Sequence, residues 1–295
     1  MLTVQQLTKT FSNGKGIFDV SFSVEKGEVF GFLGPNGAGK STTIRHIMGF
    51  MKPDQGYVEV NGLNTWETQG KIQSFMGYLP GEIAFIEGMT GKAFLDFMSD
   101  MHKIKDLSKR NSLINRFQFD VNVPIRKMSK GMKQKVGIVA TFMHDPEVYI
   151  LDEPTSGLDP LMQKVFIELV LEEKARGKTF LLSSHSFPEI ERTCDRAAII
   201  KDGKILAINN IHELQSMQRK LFDVIFENQA DADAFRHAGL QIVSYEGNLV
   251  RVAIQGNYNQ FIEETAKYNI RNIDIFTQNL EDIFMNYYDR EGISQ

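Results

Sequence analysis

The sequence predicts an α/β domain with a mostly parallel core sheet and an antiparallel β part, followed by a small α+β module of ferredoxin-like order. Three observations carry that prediction. Strand-like and helix-like periods alternate through the first two thirds of the chain, as they do where helices cover a parallel sheet. A glycine-rich segment, Gly34 to Ser41, follows an apolar run and opens an amphipathic helix. Beyond residue 220 the order becomes strand, helix, strand, strand, helix, strand.

The elements follow in order. Residues 1–7 alternate as a strand and show no apolar core of a signal peptide. Residues 17–25 read as a second strand, with Phe18, Val20, Phe22 and Val24 expected on one face. Residues 28–33 are an apolar run, and 40–51 carry Ile44, Ile47, Met48 and Met51 at helical spacing. Residues 57–60 and 75–79 read as strands, and 90–103 and 107–119 as helices. Residues 129–144 repeat the helical period through Met132, Val136, Val139, Ala140 and Met143. Residues 147–151 and 179–182 have the continuous apolarity of buried strands. Between them, 160–176 reads as a helix with Asp159 as N-cap, Pro160 at its first position and Gly177 past its end. Asp202-Gly203 joins 197–200 to 205–208 as a hairpin. In the tail, 222–226, 242–245, 249–254 and 271–276 read as strands, and 230–237, 258–268 and 280–288 as helices. The domains are therefore set at residues 1–215 and 220–295, with a linker near 214–220.

Composition narrows the class. With 295 residues, 42% hydrophobic and 24% charged, the chain can bury a large core without disulfides. No apolar run approaches the roughly 18 residues of a membrane helix. The sole cysteine, Cys194, excludes a disulfide framework and a cysteine-rich zinc site, and the cytosol is the expected compartment. The net charge of −4 argues against a binder that lives on nucleic-acid phosphates. Residues 220–295 hold 6 Lys/Arg against 12 Asp/Glu, and the preceding residues 27 against 25, so the acidity belongs to the tail.

Gly34-Pro35-Asn36-Gly37-Ala38-Gly39-Lys40-Ser41 matches G-x-x-x-x-G-K-[ST] in full, and Thr42 continues into the helix. Glycines let backbone N–H groups converge on phosphate oxygens, and the helix N-terminus adds its positive end. In this pattern Lys40 neutralises the β- and γ-phosphates, and the Ser41 hydroxyl ligates Mg²⁺. Residues 147–151 lead into Asp152-Glu153, the strand end that places an Asp on the metal side of such a loop. Glu153 then polarises the attacking water. His185 follows the apolar run Phe180-Leu181-Leu182-Ser183-Ser184, at the strand end where open α/β sheets bind ligands.

Taken in order, these residues resemble the ATP-binding cassette (ABC) family over residues 2–214. Phe11 stands where that family stacks a ring on adenine. Met128-Ser129-Lys130-Gly131-Met132 occupies the place of its Leu-Ser-Gly-Gly-Gln signature. Asp152-Glu153 resembles its Walker B end, Pro154-Thr155-Ser156-Gly157-Leu158-Asp159 its dimer-contact loop, and His185 its switch histidine. The resemblance implies a transporter's ATPase subunit using ATP and Mg²⁺. Ser129, Lys130, Gly131 and Met132 would act in trans on the nucleotide of a second cassette, in a homo- or heterodimer. Ser156, Gly157, Leu158 and Asp159 would line the dimer contact.

The resemblance further implies a helical subdomain at about 82–128 and a separate polytopic membrane permease, with this chain peripheral on the cytoplasmic face. Phe85, Ile86, Met89, Phe94, Phe97, Met98 and Met101 make the subdomain apolar. Most are expected in its core, with an exposed subset facing the permease. Two departures stand out. Lys130 and Met132 replace the usual Gly and Gln, although Met132-Lys133-Gln134 is similar to one exporter branch. Gly81 stands where many cassettes carry a metal-side Gln, which makes the neighbouring Glu82 a candidate oxygen ligand. The tail resembles accessory domains of drug and antibiotic-peptide exporters, for which a dimer-stabilising or regulatory role is expected. Two other readings stay open: a soluble ABC ATPase acting on nucleic acid or ribosomes, and a non-hydrolysing regulatory module.

Overall fold

The computed structural model describes residues 2–217, 220–254 and 258–277. The chain divides into two units, Met1–Ile211 and His212–Gln295. Among the described residues no helix is long and apolar enough to cross a membrane.

The first unit opens with β1 (Leu2–Thr10), β2 (Gly16–Val24) and β3 (Val29–Leu33). Helix α1 (Lys40–Ile47) follows, then β4 (Gln55–Val60), β5 (Leu63–Asn64), α2 (Gln69–Ile72) and β6 (Met76–Leu79). Next come α3 (Gly91–Met101), α4 (Ser108–Phe117), α5 (Lys130–Phe142) and β7 (Val148–Asp152). The unit continues through α6 (Pro160–Ala175), β8 (Thr179–Ser184), α7 (Phe187–Thr193), β9 (Arg196–Lys201) and β10 (Lys204–Asn210). Two sheets result. β2-β1-β4-β5 is antiparallel, and β10-β9-β3-β8-β7-β6 is parallel except for the hairpin strand β10.

Every residue of β3, β7 and β8 is buried, as their unbroken apolar runs require of central parallel strands. The two faces of the parallel sheet pack differently. Phe30 and Phe32 of β3 turn toward the antiparallel sheet, where Phe22 stacks on them at 5.2 and 5.4 Å. Tyr149 and Phe180 stack at 4.6 Å on the other face, with Phe142 of α5 at 4.5 Å from Tyr149. Rings of this size each contribute about 1.5–3 kcal/mol on burial, so the strands that carry the site loops are held from both sides.

One predicted face is shifted. Asp19 takes a left-handed φ of 52°, and the β1–β2 register slips between Leu7 and Lys9. The local break moves the inward position by one, so Ile17 is buried and Phe18 only partly so. The expected helix ends at α6 are all present: Asp159 accepts a hydrogen bond from the Met162 N–H at 2.9 Å, and Gly177 closes the helix at φ 85°.

Helix α8 (Ile211–Met217) occupies part of the expected linker. The second unit contains β11 (Lys220–Phe226), α9 (Gln229–Phe235), β12 (Gln241–Glu246), β13 (Leu249–Ile254), α10 (Asn259–Thr265) and β14 (Ile270–Thr277). Its antiparallel sheet, β12-β13-β11-β14, has the ferredoxin-like order. Phe222, Val224 and Phe226 of β11 pack with Phe235 and Phe261 of the two helices. The helix expected at 280–288 lies outside the described residues.

Candidate functional site

Strands β3, β8 and β7 are parallel neighbours, with Leu33 opposite Ser184 and Asp152 opposite Ser183. Their C-terminal ends therefore present three loops side by side. These are the glycine loop 34–39, the Asp152-Glu153 turn and the Ser184-His185 turn. Ligands bind at this edge of open α/β sheets.

The glycine loop ends on Gly39, the N-cap of α1, at φ 110°. An L-side chain there would be strained, and its Cβ would meet the Ile17 Cγ2 at 2.7 Å. Lys40, the first helical residue, is buried. Its Nζ donates to the carbonyls of Gly34 at 2.7 Å and Pro35 at 3.2 Å. Ala38 is buried, and its carbonyl accepts the Gly203 N–H at 3.0 Å, which anchors the loop to the β9–β10 hairpin. A cleft of about 300 Å³ opens over the loop, lined by Phe11, Asn36, Gly37, Lys40, Ser41 and Thr42 among others. Phe11 is half-exposed beside it, a ring free to stack on a planar base.

Asp152 is buried at the end of β7. Ser41 Oγ donates to its Oδ2 at 2.7 Å, and Ser183 Oγ donates to its Oδ1. The hydroxyl and the carboxylate are hard oxygen donors of the kind Mg²⁺ takes alongside substrate phosphates. Glu153 then leaves the strand in the left-handed region at φ 48°, which is uncommon for a residue with a side chain. Its N–H is held by Ser183, through the carbonyl at 3.1 Å and the hydroxyl at 3.2 Å. The turn throws the Glu153 side chain out of the sheet. Its Oε1 lies 3.5 Å from Lys40 Nζ and 3.4 Å from His185 Nδ1. His185 itself is largely exposed.

Ser129 caps α5, its hydroxyl accepting from the Met132 N–H at 3.2 Å. Ser129 and Lys130 are exposed, while Gly131 and Met132 are half-buried. The start of α5 rests on the loop that follows Glu153. A Cβ at Gly131 would come within 2.6 Å of the Gly157 carbonyl oxygen, and one at Gly157 within 2.9 Å of Lys130 Cγ. Gln134, buried one turn further on, donates to the Pro154 carbonyl at 2.8 Å. In the loop itself Ser156 and Gly157 are accessible, Leu158 is buried in its own chain and Asp159 caps α6.

Comparison with known proteins places this geometry. A family profile described as "ABC transporter" matches residues 17–156. The chain is 32% identical to the bacitracin transport ATP-binding protein BcrA of Bacillus licheniformis, covering 97% of this chain and 96% of that protein. The chain belongs to the ABC transporter ATP-binding proteins. It is 31% identical to the linearmycin resistance ATP-binding protein LnrL of Bacillus subtilis (strain 168), over 97% of each chain. A solved structure of an ATP-binding subunit of an ABC transporter superposes with a TM-score of 0.68 at 33% identity, covering 73% of this chain and 92% of that one. The chain is thus an ABC ATPase that binds ATP.

Glu82 is exposed. Gly81 is the residue beside the carboxylate: a Cβ there would lie 3.4 Å from Asp152 Oδ2. The apolar residues of the helical region divide between core and surface. Phe94 is buried, whereas Ile86, Phe97 and Met101 are exposed. Phe85, Ile86 and Met89 line a groove of about 700 Å³ with Pro124, Ile125 and Arg126.

Ser183 and Gln134 escaped the sequence reading. Each is a polar residue at a buried position, and that mismatch was the available signal. The contact at Gly131 gives a direct test of the coupling between α5 and the 154–159 loop. Gly131→Ala is expected to lower stability by about 1–3 kcal/mol through overpacking, measured by denaturant unfolding. An unchanged midpoint would mean that the two segments are not in contact.

Proposed function

We propose that this ABC ATPase drives an exporter by hydrolysing Mg·ATP across a head-to-tail dimer. The exporter reading is supported by the near full-length likeness to proteins named for bacitracin transport and linearmycin resistance. The chemistry rests on one observation: Glu153 Oε1 lies between Lys40 Nζ and His185 Nδ1, one residue beyond the Ser41–Asp152 pair.

In this reading the adenine stacks on Phe11, and the triphosphate lies along residues 34–42. The backbone N–H groups of the loop, the α1 N-terminus and Lys40 balance the phosphate charge. Ser41 and Asp152 would hold Mg²⁺, which would supply positive charge against that of the phosphates. Glu153 orients the attacking water and accepts its proton, a role its outward turn suits. His185, beside Glu153, contacts the γ-phosphate. Ser129 and Gly131 present the α5 N-terminus to the nucleotide of the second cassette, with Lys130 and Met132 beside it. Ser156 and Gly157 meet that cassette across the interface.

Residues 1–215 form the nucleotide-binding domain and 220–295 an accessory domain. The groove around Phe85, Ile86 and Met89 receives a segment of a separate membrane permease, which holds the protein at the cytoplasmic face. Its apolar lining beside Arg126 and Lys133 suits a short amphipathic helix.

Glu153→Gln is expected to bind ATP, form a stable dimer by light scattering, and lose about 10²–10⁴-fold in turnover. Lys40→Ala is expected to weaken nucleotide binding itself. Normal steady-state hydrolysis by Glu153→Gln would refute its assignment. Purified from membranes, the native protein is expected to bring down a polytopic membrane protein, and its absence would count against the transporter role.

A further inference from the structure

A polar cavity of about 400 Å³ lies behind the proposed catalytic groups, between α6, α7 and the loop that follows β7. Thr155, Lys164, Ser184, His185, Glu189 and Arg192 contribute to its walls. Glu189 of α7 is 6% exposed. Its Oε2 accepts from Ser184 Oγ at 2.5 Å, while its Oε1 is buried with no hydrogen-bond partner among the described residues. The Ser184 hydroxyl also accepts the Ser186 N–H at 2.9 Å. Glu189 therefore grips both flanks of His185 through one serine.

A buried carboxylate with one oxygen unpaired is costly, whereas the neutral acid is tolerated. Burial accordingly pushes the Glu189 carboxyl up to about 7, against the hydrogen bond from Ser184 and the nearby His185, with the Glu153 carboxylate adding to the rise. The titratable groups around it are Glu153 and His185 from the two loops, Lys164 from α6 and Arg192 from its own helix. The buried Cys194 thiol, which follows α7, is itself pushed up to about 12 by burial.

We propose that Glu189 is a positioning residue for ATP hydrolysis, its buried carboxyl holding the Ser184–His185 strand end to α7. The inference rests on the roles given above to Glu153 and His185. The neutral form preserves the Ser184 bond and adds no charge near Glu153. The ionised form places a second negative charge beside Glu153 and the triphosphate, and it attracts Lys164 or Arg192 into the cavity. Turnover therefore belongs to the protonated form and is lost as pH rises through about 7.

The test is the dependence of kcat on pH between 6 and 8.5 at saturating Mg·ATP, for the full chain and two variants. The native protein is expected to lose about tenfold between pH 6 and pH 8, following the neutral fraction of one such group. Glu189→Gln keeps a neutral acceptor for Ser184. It is expected to retain the pH 6 rate within about twofold and to lose this limb. Ser184→Ala removes the bond through which Glu189 acts, and one that favours the ionised form, so it is expected to lower kcat at pH 6 and to move the remaining limb to higher pH. A limb absent from the native protein, or unmoved in both variants, would overturn the proposal. So would collapse of Glu189→Gln at every pH with unchanged melting temperature. Normal turnover by Glu153→Gln would instead condemn the underlying site assignment, so the two failures are distinguishable.

Discussion

One buried carboxylate organises the site. Asp152 accepts hydroxyl donors from Ser41 on α1 and from Ser183 on β8. Charge-assisted bonds of this kind are roughly twice as strong as neutral ones. They tie the phosphate-loop helix and two adjacent parallel strands to a single point. The neighbouring geometry follows. With Asp152 fixed inward, Glu153 must leave the sheet, and its left-handed turn is held by the same Ser183. That turn delivers a second carboxylate between Lys40 and His185. Two adjacent acidic residues thus stand in different environments, one inside the sheet end and one in the cleft.

The same strand end reaches outward through the 154–159 loop. Gln134 holds the Pro154 carbonyl, and the absence of side chains at Gly131 and Gly157 lets the start of α5 lie against the loop. The carboxylate end and the α5 N-terminus are therefore mechanically joined within one chain. In the proposed dimer, a change at one nucleotide would be felt at the surface that contacts the other. Glu189 extends this logic beside the site, where a single buried acid connects the His185 turn to α7.

Much of this was legible in the sequence because it is local. The phosphate loop is a contiguous motif, the Asp152-Glu153 end follows an apolar run, and the α6 caps are fixed by residues adjacent in the chain. The features that escaped depend on contacts distant in sequence or on single backbone torsions. Ser183 sits in an apolar strand, and only its pairing opposite Asp152 reveals its use. The shift from Phe18 to Ile17 comes from one left-handed residue, Asp19, that no periodicity announces. Ile86, Phe97 and Met101 are exposed while Phe94 is buried, a division that helical spacing alone does not set.

The proposed metal side of the ATP site is the Asp152–Ser41 pair. It is tested most directly by titrating Mn²⁺ into the ATP-bound protein and following the ion by electron paramagnetic resonance, for the native chain and Asp152→Asn. The native protein is expected to show an ATP-dependent site, and the variant a loss of about 10–100-fold in metal affinity with ATP still bound. Equal Mn²⁺ affinity in the two proteins would contradict the placement of the metal at Asp152.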